Sequence, residues 1–197
     1  MSANVWFEEV NMGLIQEIKN TVRIRNTRGV LESLEDRAIL IRKPEEDFKP
    51  EIFPCVSIYN VSYKHDPKRY NDSRVKVGED IDKNVVIMED QAVPFNLAYQ
   101  LDFWAKFQED MDYMTKSWLT KHFRQFNLNV VDDGGVLRTC NCIMKGSVTK
   151  SDLVLEGERL FHSIIKLLIW VELDDETRYN MPMVIKRNID TKELPKI

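Results

Sequence analysis

The sequence predicts an α+β domain with a mostly antiparallel sheet. Strand-like stretches come in runs and do not alternate with helices. Two helical stripes, one N-terminal and one central, flank those runs. The last long strand candidate is apolar on both faces, which places it centrally in a sheet or at a contact between subunits. No fixed repeat period is visible, so a solenoid is excluded.

Residues 4–20 form an amphipathic pattern, with Phe7, Val10, Leu14 and Ile18 at helical spacing. Ser2 or Asn4 is the expected cap, and Gly13 weakens the helix slightly. Thr21 to Arg25 is β-like, and Asn26-Thr27-Arg28-Gly29 has turn chemistry. A short apolar stretch, Ala38 to Ile41, precedes a connector punctuated by Pro44, Pro50 and Pro54. Cys55 to Tyr63 then reads as a strand, with Val56 and Ile58 on one face and Tyr59, Val61 and Tyr63 on the other.

Residues 64–83 are the most polar stretch, with six basic and five acidic side chains. Such a segment is a long loop or a hairpin arm, solvated or ordered against a partner. Val85 to Met88 is strand-like. From Pro94 a regular alternation follows: Phe95, Leu97, Tyr99, Leu101 and Phe103 point inward, and Asn96, Ala98, Gln100 and Asp102 outward. A helix is expected over about 105–124, striped by Phe107, Met111, Met114 and Trp118. Leu128 to Val131 and Val136 to Met144, joined through Asp133-Gly134-Gly135, make a hairpin. Gly146 to Gly157 is expected as a mixed loop, Arg159 to Leu173 as the long strand, and Met183 to Ile189 as a final one. The last seven residues look extended.

Composition bounds the function only loosely. The 197 residues carry 28 basic and 32 acidic side chains, 28 − 32 = −4, with 43% hydrophobic residues. That suits one globular domain and argues against a general nucleic-acid coat, which would be basic. The N-terminus shows neither the basic nor the apolar segment of a signal peptide, and no apolar run approaches a membrane span. Synthesis in the cytosol and three free thiols, Cys55, Cys140 and Cys142, are the matching expectations. Cys140 and Cys142 form a C-x-C, but only three scattered histidines are available to complete a zinc site, so no metal is expected. No phosphate-cradling glycine motif, nucleophile elbow or H-E-x-x-H is present, and no cofactor is expected.

One passage suggests a family. Ala92-Val93-Pro94-Phe95-Asn96-Leu97-Ala98-Tyr99-Gln100-Leu101-Asp102-Phe103-Trp104-Ala105-Lys106 resembles the proline-led, alternating strand that feeds an acidic helix start in many bacteriophage neck proteins. Phe53-Pro54-Cys55-Val56-Ser57-Ile58, with Asp66-Pro67-Lys68-Arg69-Tyr70 after it, is similar to their first strand and arm. Leu155-Glu156-Gly157-Glu158-Arg159-Leu160-Phe161 resembles their lead into the last long strand. The family is the tail terminator, or tail completion, proteins of tailed phages, particularly those with contractile tails. The likeness spans roughly residues 50–173; the acidic insertion near 79–82 and the extension after Leu173 depart from it.

The resemblance implies a non-enzymatic virion subunit that closes into a six-membered ring. Such a ring caps the tail tube, joins it to the head–tail connector and, in contractile tails, can hold the last ring of the sheath. The implied partners are copies of itself, the tube protein, the connector or adaptor protein and the sheath protein. DNA passes through without sequence-specific binding, and a slightly acidic chain suits that passage. The whole chain is then one domain, with an arm at 64–83 and a C-terminal extension at 174–197. Candidate partner-contact residues are Arg69, Tyr70 and Arg74 on the arm and Tyr179, Met181 and Met183 in the extension. A connector adaptor, stopper or baseplate component is the nearest alternative. An enzyme using Asp102, Glu109 and Asp112 is the alternative of a different class; the plainer reading of these three is a solvated strand edge and helix face.

Overall fold

The first helix, α1 (Phe7–Thr21), forms where the apolar stripe requires it: Val10, Leu14 and Ile18 are fully buried, and Val22 continues them past the helix end. These features come from a computed structural model that describes residues 6–25, 29–35, 38–41, 53–70, 74–80, 85–90, 92–132, 134–155, 158–173 and 178–182. Trp6, not Ser2 or Asn4, caps the helix; its backbone N–H donates to the Glu9 carboxylate at 2.9 Å. Ser2 and Asn4 lie outside the described residues.

Strands β1 (Arg23–Arg25) and β2 (Leu31–Ser33) form a small antiparallel ribbon, with Gly29 at φ 78° before β2. Strand β3 (Ile39–Ile41) lies parallel to the start of β4 (Cys55–His65). Strands β5 (Arg74–Asp80) and β6 (Val85–Asp90) follow, then β7 (Val93–Ala105) and helix α2 (Gln108–Lys121). The chain continues through β8 (Gln125–Val131), β9 (Leu137–Leu155), β10 (Glu158–Leu173) and β11 (Arg178–Pro182).

The main sheet has six strands in the order β3-β4-β7-β10-β9-β8. All its pairs are antiparallel except β3 with β4. The α+β class is therefore the observed one, with a helix at the N-terminus and another in the middle. As its two apolar faces demand, β10 sits centrally, between β7 and β9.

Both helices cover one face of this sheet. Leu97, Tyr99, Leu101 and Phe103 of β7 point into that layer at 1% exposure or less, beside Ile165, Leu167 and Ile169 of β10. Trp118 of α2 packs edge-on to Phe103 and to Phe126. Gly13 lets α1 approach β8 closely: a Cβ there would lie 2.7 Å from Val130 Cγ1 and 2.9 Å from the Asn129 carbonyl oxygen. The glycine is thus a packing requirement more than a helix weakness.

A polar clamp ties α1 to α2. The Glu17 carboxylate accepts hydrogen bonds from Thr21 Oγ1 at 2.9 Å and Lys121 Nζ at 2.8 Å, and His122 Nε2 lies 3.0 Å from the same oxygen. His122 is 3% exposed, and its Nδ1 has no hydrogen-bond partner among the described residues. Burial pulls this imidazole below its ordinary pKa, against the opposing pull of Glu17. Burial pushes Glu17 upward, but the hydrogen bonds from Lys121 and Thr21 and the nearby positive charges together hold it below its ordinary value.

Several expectations need correction. Residues 146–155 are not a loop; β9 continues through them, paired residue by residue with the start of β10. Pairing supplies the order that the polar residues of this stretch do not advertise. Helix α2 starts at Gln108, because β7 runs on to Ala105 and the chain must turn after it. Phe107 is consequently the N-cap and is 69% exposed, outside the apolar stripe. Asp102 does not face solvent: it is fully buried on the face opposite the helices. The expected strand at Met183 to Ile189 and the extended tail lie outside the described residues, and the last observed strand is β11. No described helix is long and apolar enough to cross a membrane.

Candidate subunit interface

The segment expected as an arm divides in two. Its first part is a tight turn after β4; its second is β5, which pairs with β6, and β6 pairs in turn with β11, making a separate three-stranded sheet of order β11-β6-β5. Since β6 leads into β7, β11 follows β10, and β7 pairs with β10 as far as Val93 and Leu173, the small sheet continues the central ribbon of the main sheet. Its three strands pack on one another and have no substantial contact with the main sheet or the helices among the described residues.

The candidate contact residues gather at this end of the molecule. Arg69 and Tyr70 lie in the turn, Arg74 begins β5, and Tyr179 and Met181 stand on β11 opposite Met88 and Val86. The arm and the C-terminal extension, distant in sequence, thus share one sheet. Met183 lies outside the described residues.

Within the turn, Arg69 is used internally. Its Nε donates to Asp66 Oδ2 at 3.0 Å, and its Nη2 donates to the Phe95 carbonyl at 3.0 Å and to Asn96 Oδ1 at 3.3 Å. The guanidinium also lies over the Trp170 ring, 5.1 Å from its centre. Hydrogen bonds from Arg69 and then Asn96 hold the Asp66 carboxyl below its ordinary pKa. Tyr70 packs edge-on to His65 at 5.6 Å. Arg69 therefore first pins the turn to β7 and β10, and only its remaining surface can face a partner.

Beside Arg69 an open cleft of about 650 Å³ separates the turn from the β8–β9 hairpin, lined by Arg69, Ala92, Leu137, Arg138, Trp170 and Glu172. The hairpin tip is built by Asp132, whose carboxylate accepts from the Val136 N–H at 2.7 Å and from Arg138 Nε at 3.0 Å. That backbone hydrogen bond, assisted by Arg138, holds Asp132 below its ordinary pKa. The tip presents Val131, Val136 and Leu137 to solvent at 55%, 52% and 66% exposure. Their register puts Val131 and Leu137 on the helix-free face, in line with Ile143, Leu168 and Trp170. The residues missed in sequence are Leu137 and Val131; their apolar character was visible, but only the pairing reveals that they are uncovered.

The carboxylates of the enzyme alternative do not converge. Asp102 is buried beneath the sheet, 3.0 Å from His162 Nε2 and hydrogen-bonded by Gln100. His162 stacks on Trp104 with ring centres 3.8 Å apart. Glu109 and Asp112 instead lie on exposed α2, where Arg25 pairs with Glu109 at 2.8 Å and Gln108 donates to Asp112. No group of three metal-ligating side chains occurs among the described residues. The three cysteines are buried and none is in a disulfide among the described residues; burial raises the Cys140 thiol to about 11 and Cys142 further, so neither of these two is poised to react. No protein-family model matches the chain, and no curated protein matches it.

Proposed function

We propose that this chain is a structural, non-catalytic subunit of a bacteriophage neck. Copies close into a ring, taken as hexameric from the family resemblance, that caps the tail tube and joins it to the head–tail connector. In a contractile tail the same ring holds the last sheath ring. One observation carries the self-association: among the described residues of one protomer, no helix or strand packs over the small sheet, and the apolar hairpin tip is exposed. Two unlike patches on one chain make a head-to-tail contact, the kind that closes into rings. The resemblance supports the phage assignment, and its three stretches fall on or lead into β4, β7 and β10, neighbours at the centre of the main sheet.

Native mass spectrometry of the purified protein tests the ring, and electron imaging with isolated tail tubes tests its place. A closed oligomer seated on tube ends is the expected result. A monomer at every concentration that binds neither tube, sheath nor connector would overturn the assignment.

A further inference from the structure

The small sheet poses a packing problem that points to its partner. Its middle strand, β6, presents Val85 and Ile87 to one side and Val86 and Met88 to the other, all half-buried. A three-stranded sheet gains independent stability by laying an apolar face on another layer. Among the described residues no helix or strand of the same protomer provides that layer.

The helix-free face of the main sheet has the complementary defect. Ile143 and Leu168 face each other across β9 and β10, half-buried, with exposed Leu137 farther along the same face. Next to that apolar strip, Lys145 and Lys166 stand directly opposite one another, both exposed and neither in an ion pair with a described residue. Like charges directly opposite on neighbouring strands repel, so the face favours a partner that is apolar and acidic. The β5–β6 hairpin has that composition: residues 74–90 hold three basic and five acidic side chains, 3 − 5 = −2, around the Val85–Met88 strip. Glu79 and Asp80 end the β5 strand, and Lys76 pairs with Glu79 inside it.

We infer that the β5–β6–β11 sheet of one copy docks on the Ile143–Leu168 face of a second copy, its acidic hairpin end set against Lys145 and Lys166. The contact rests on the ring reading in one respect: because the patches differ, repetition of the contact closes a ring where the rotation per copy permits and otherwise extends an open chain. It names the two surfaces that meet.

Two charge-reversed variants test it, Lys145→Glu/Lys166→Glu and Glu79→Lys/Asp80→Lys, each checked by circular dichroism for an intact fold. Mass photometry and sedimentation velocity then read self-association. Each variant alone is expected to associate about 10- to 100-fold more weakly than the wild type, and an equimolar mixture should recover mixed oligomers. Wild-type-like assembly of both variants overturns the docking even if the wild type forms rings. A mixture that stays dissociated also overturns it, as does a wild type that is monomeric throughout. Recovery in the mixture, with a wild type that stops at open or dimeric species, keeps the docking and rejects the closed ring.

Discussion

Replacing Gly13 with alanine sets two opposing effects against each other. Helix propensity alone favours the change by about 1 kcal/mol, because α1 is regular around this position. Packing opposes it: the new methyl would lie 2.7 Å from Val130 Cγ1 and 2.9 Å from the Asn129 carbonyl oxygen. Val130 could shift its rotamer only into a filled core, since it is 1% exposed. Asn129 cannot yield freely, because its strand is paired to β9 opposite Thr139. Overpacking of this kind costs roughly 1–3 kcal/mol, and a clash with paired backbone belongs in the upper half of that range. Gly13→Ala should therefore destabilise by about 1–2 kcal/mol net. At about 2–4 °C per kcal/mol for a chain of this size, Tm falls by about 2–8 °C. Differential scanning calorimetry is the assay, with Met12→Ala as the control, since Met12 is 61% exposed on the same helix. An unchanged or raised Tm in Gly13→Ala would refute the close-approach argument and return the glycine to a simple propensity defect.

Acid should loosen the α1–α2 clamp in two steps. The folded-state pKa of His122 lies below its ordinary 6.5, so its contribution is full above about pH 6.5 and is lost as pH falls from there through the folded value. That of Glu17 lies below 4.5, so its contribution is lost at still lower pH. Tm should start to drop below about pH 6.5, and His122→Gln should flatten that first step; an identical pH profile in the variant would remove His122 from the account. Asp102→Asn should cost on the order of 1–3 kcal/mol in urea unfolding, because the amide keeps a single acceptor oxygen for the buried His162 and Gln100 contacts that the carboxyl group now holds. Arg69→Glu should lower the thermal stability of the isolated protomer, since the new carboxylate would face Asp66, the Phe95 carbonyl and Asn96 Oδ1. If it melts like the wild type, the turn is held by something other than this hydrogen-bond set. Joint reversal of Arg69 and Arg74 is thus a poor interface test, despite the appeal of both residues in the sequence.

Local periodicity carried what it could. Val10, Leu14 and Ile18 announced α1, and Leu97 to Phe103 announced β7, because burial on one face writes a repeat into the chain. Phe107 misled for the same reason: it continues the α2 spacing by one turn, yet β7 does not release the chain early enough for it to join the helix. Asp102 obeyed the alternation that assigned it outward, and only the opposite face being covered at that end makes it buried. The second half of β9 was hidden because its order comes from β10, its partner across a hairpin, and not from its own pattern. Pairing of β6 with β11 was beyond reach, since nothing local links residues 85–90 to 178–182.

That last pairing changes what the interface candidates mean. By sequence alone, Arg74 and the pair Tyr179 and Met181 are separate contacts, one on an arm and one on an extension. In the fold they lie on the two outer strands of one sheet, joined through β6. A change on either strand acts on the shared unit, so their effects on assembly are coupled instead of independent. Arg69 belongs to a different unit, the turn locked to β7 and β10 at the side of the cleft. The five described candidates therefore reduce to two units: a three-stranded sheet that lacks a layer of its own among the described residues, and a pinned turn beside the ribbon that carries it. A partner that supplies the missing layer must engage the sheet as a whole, which is why complementary charge on a second apolar face, and not any one anchor residue, identifies it.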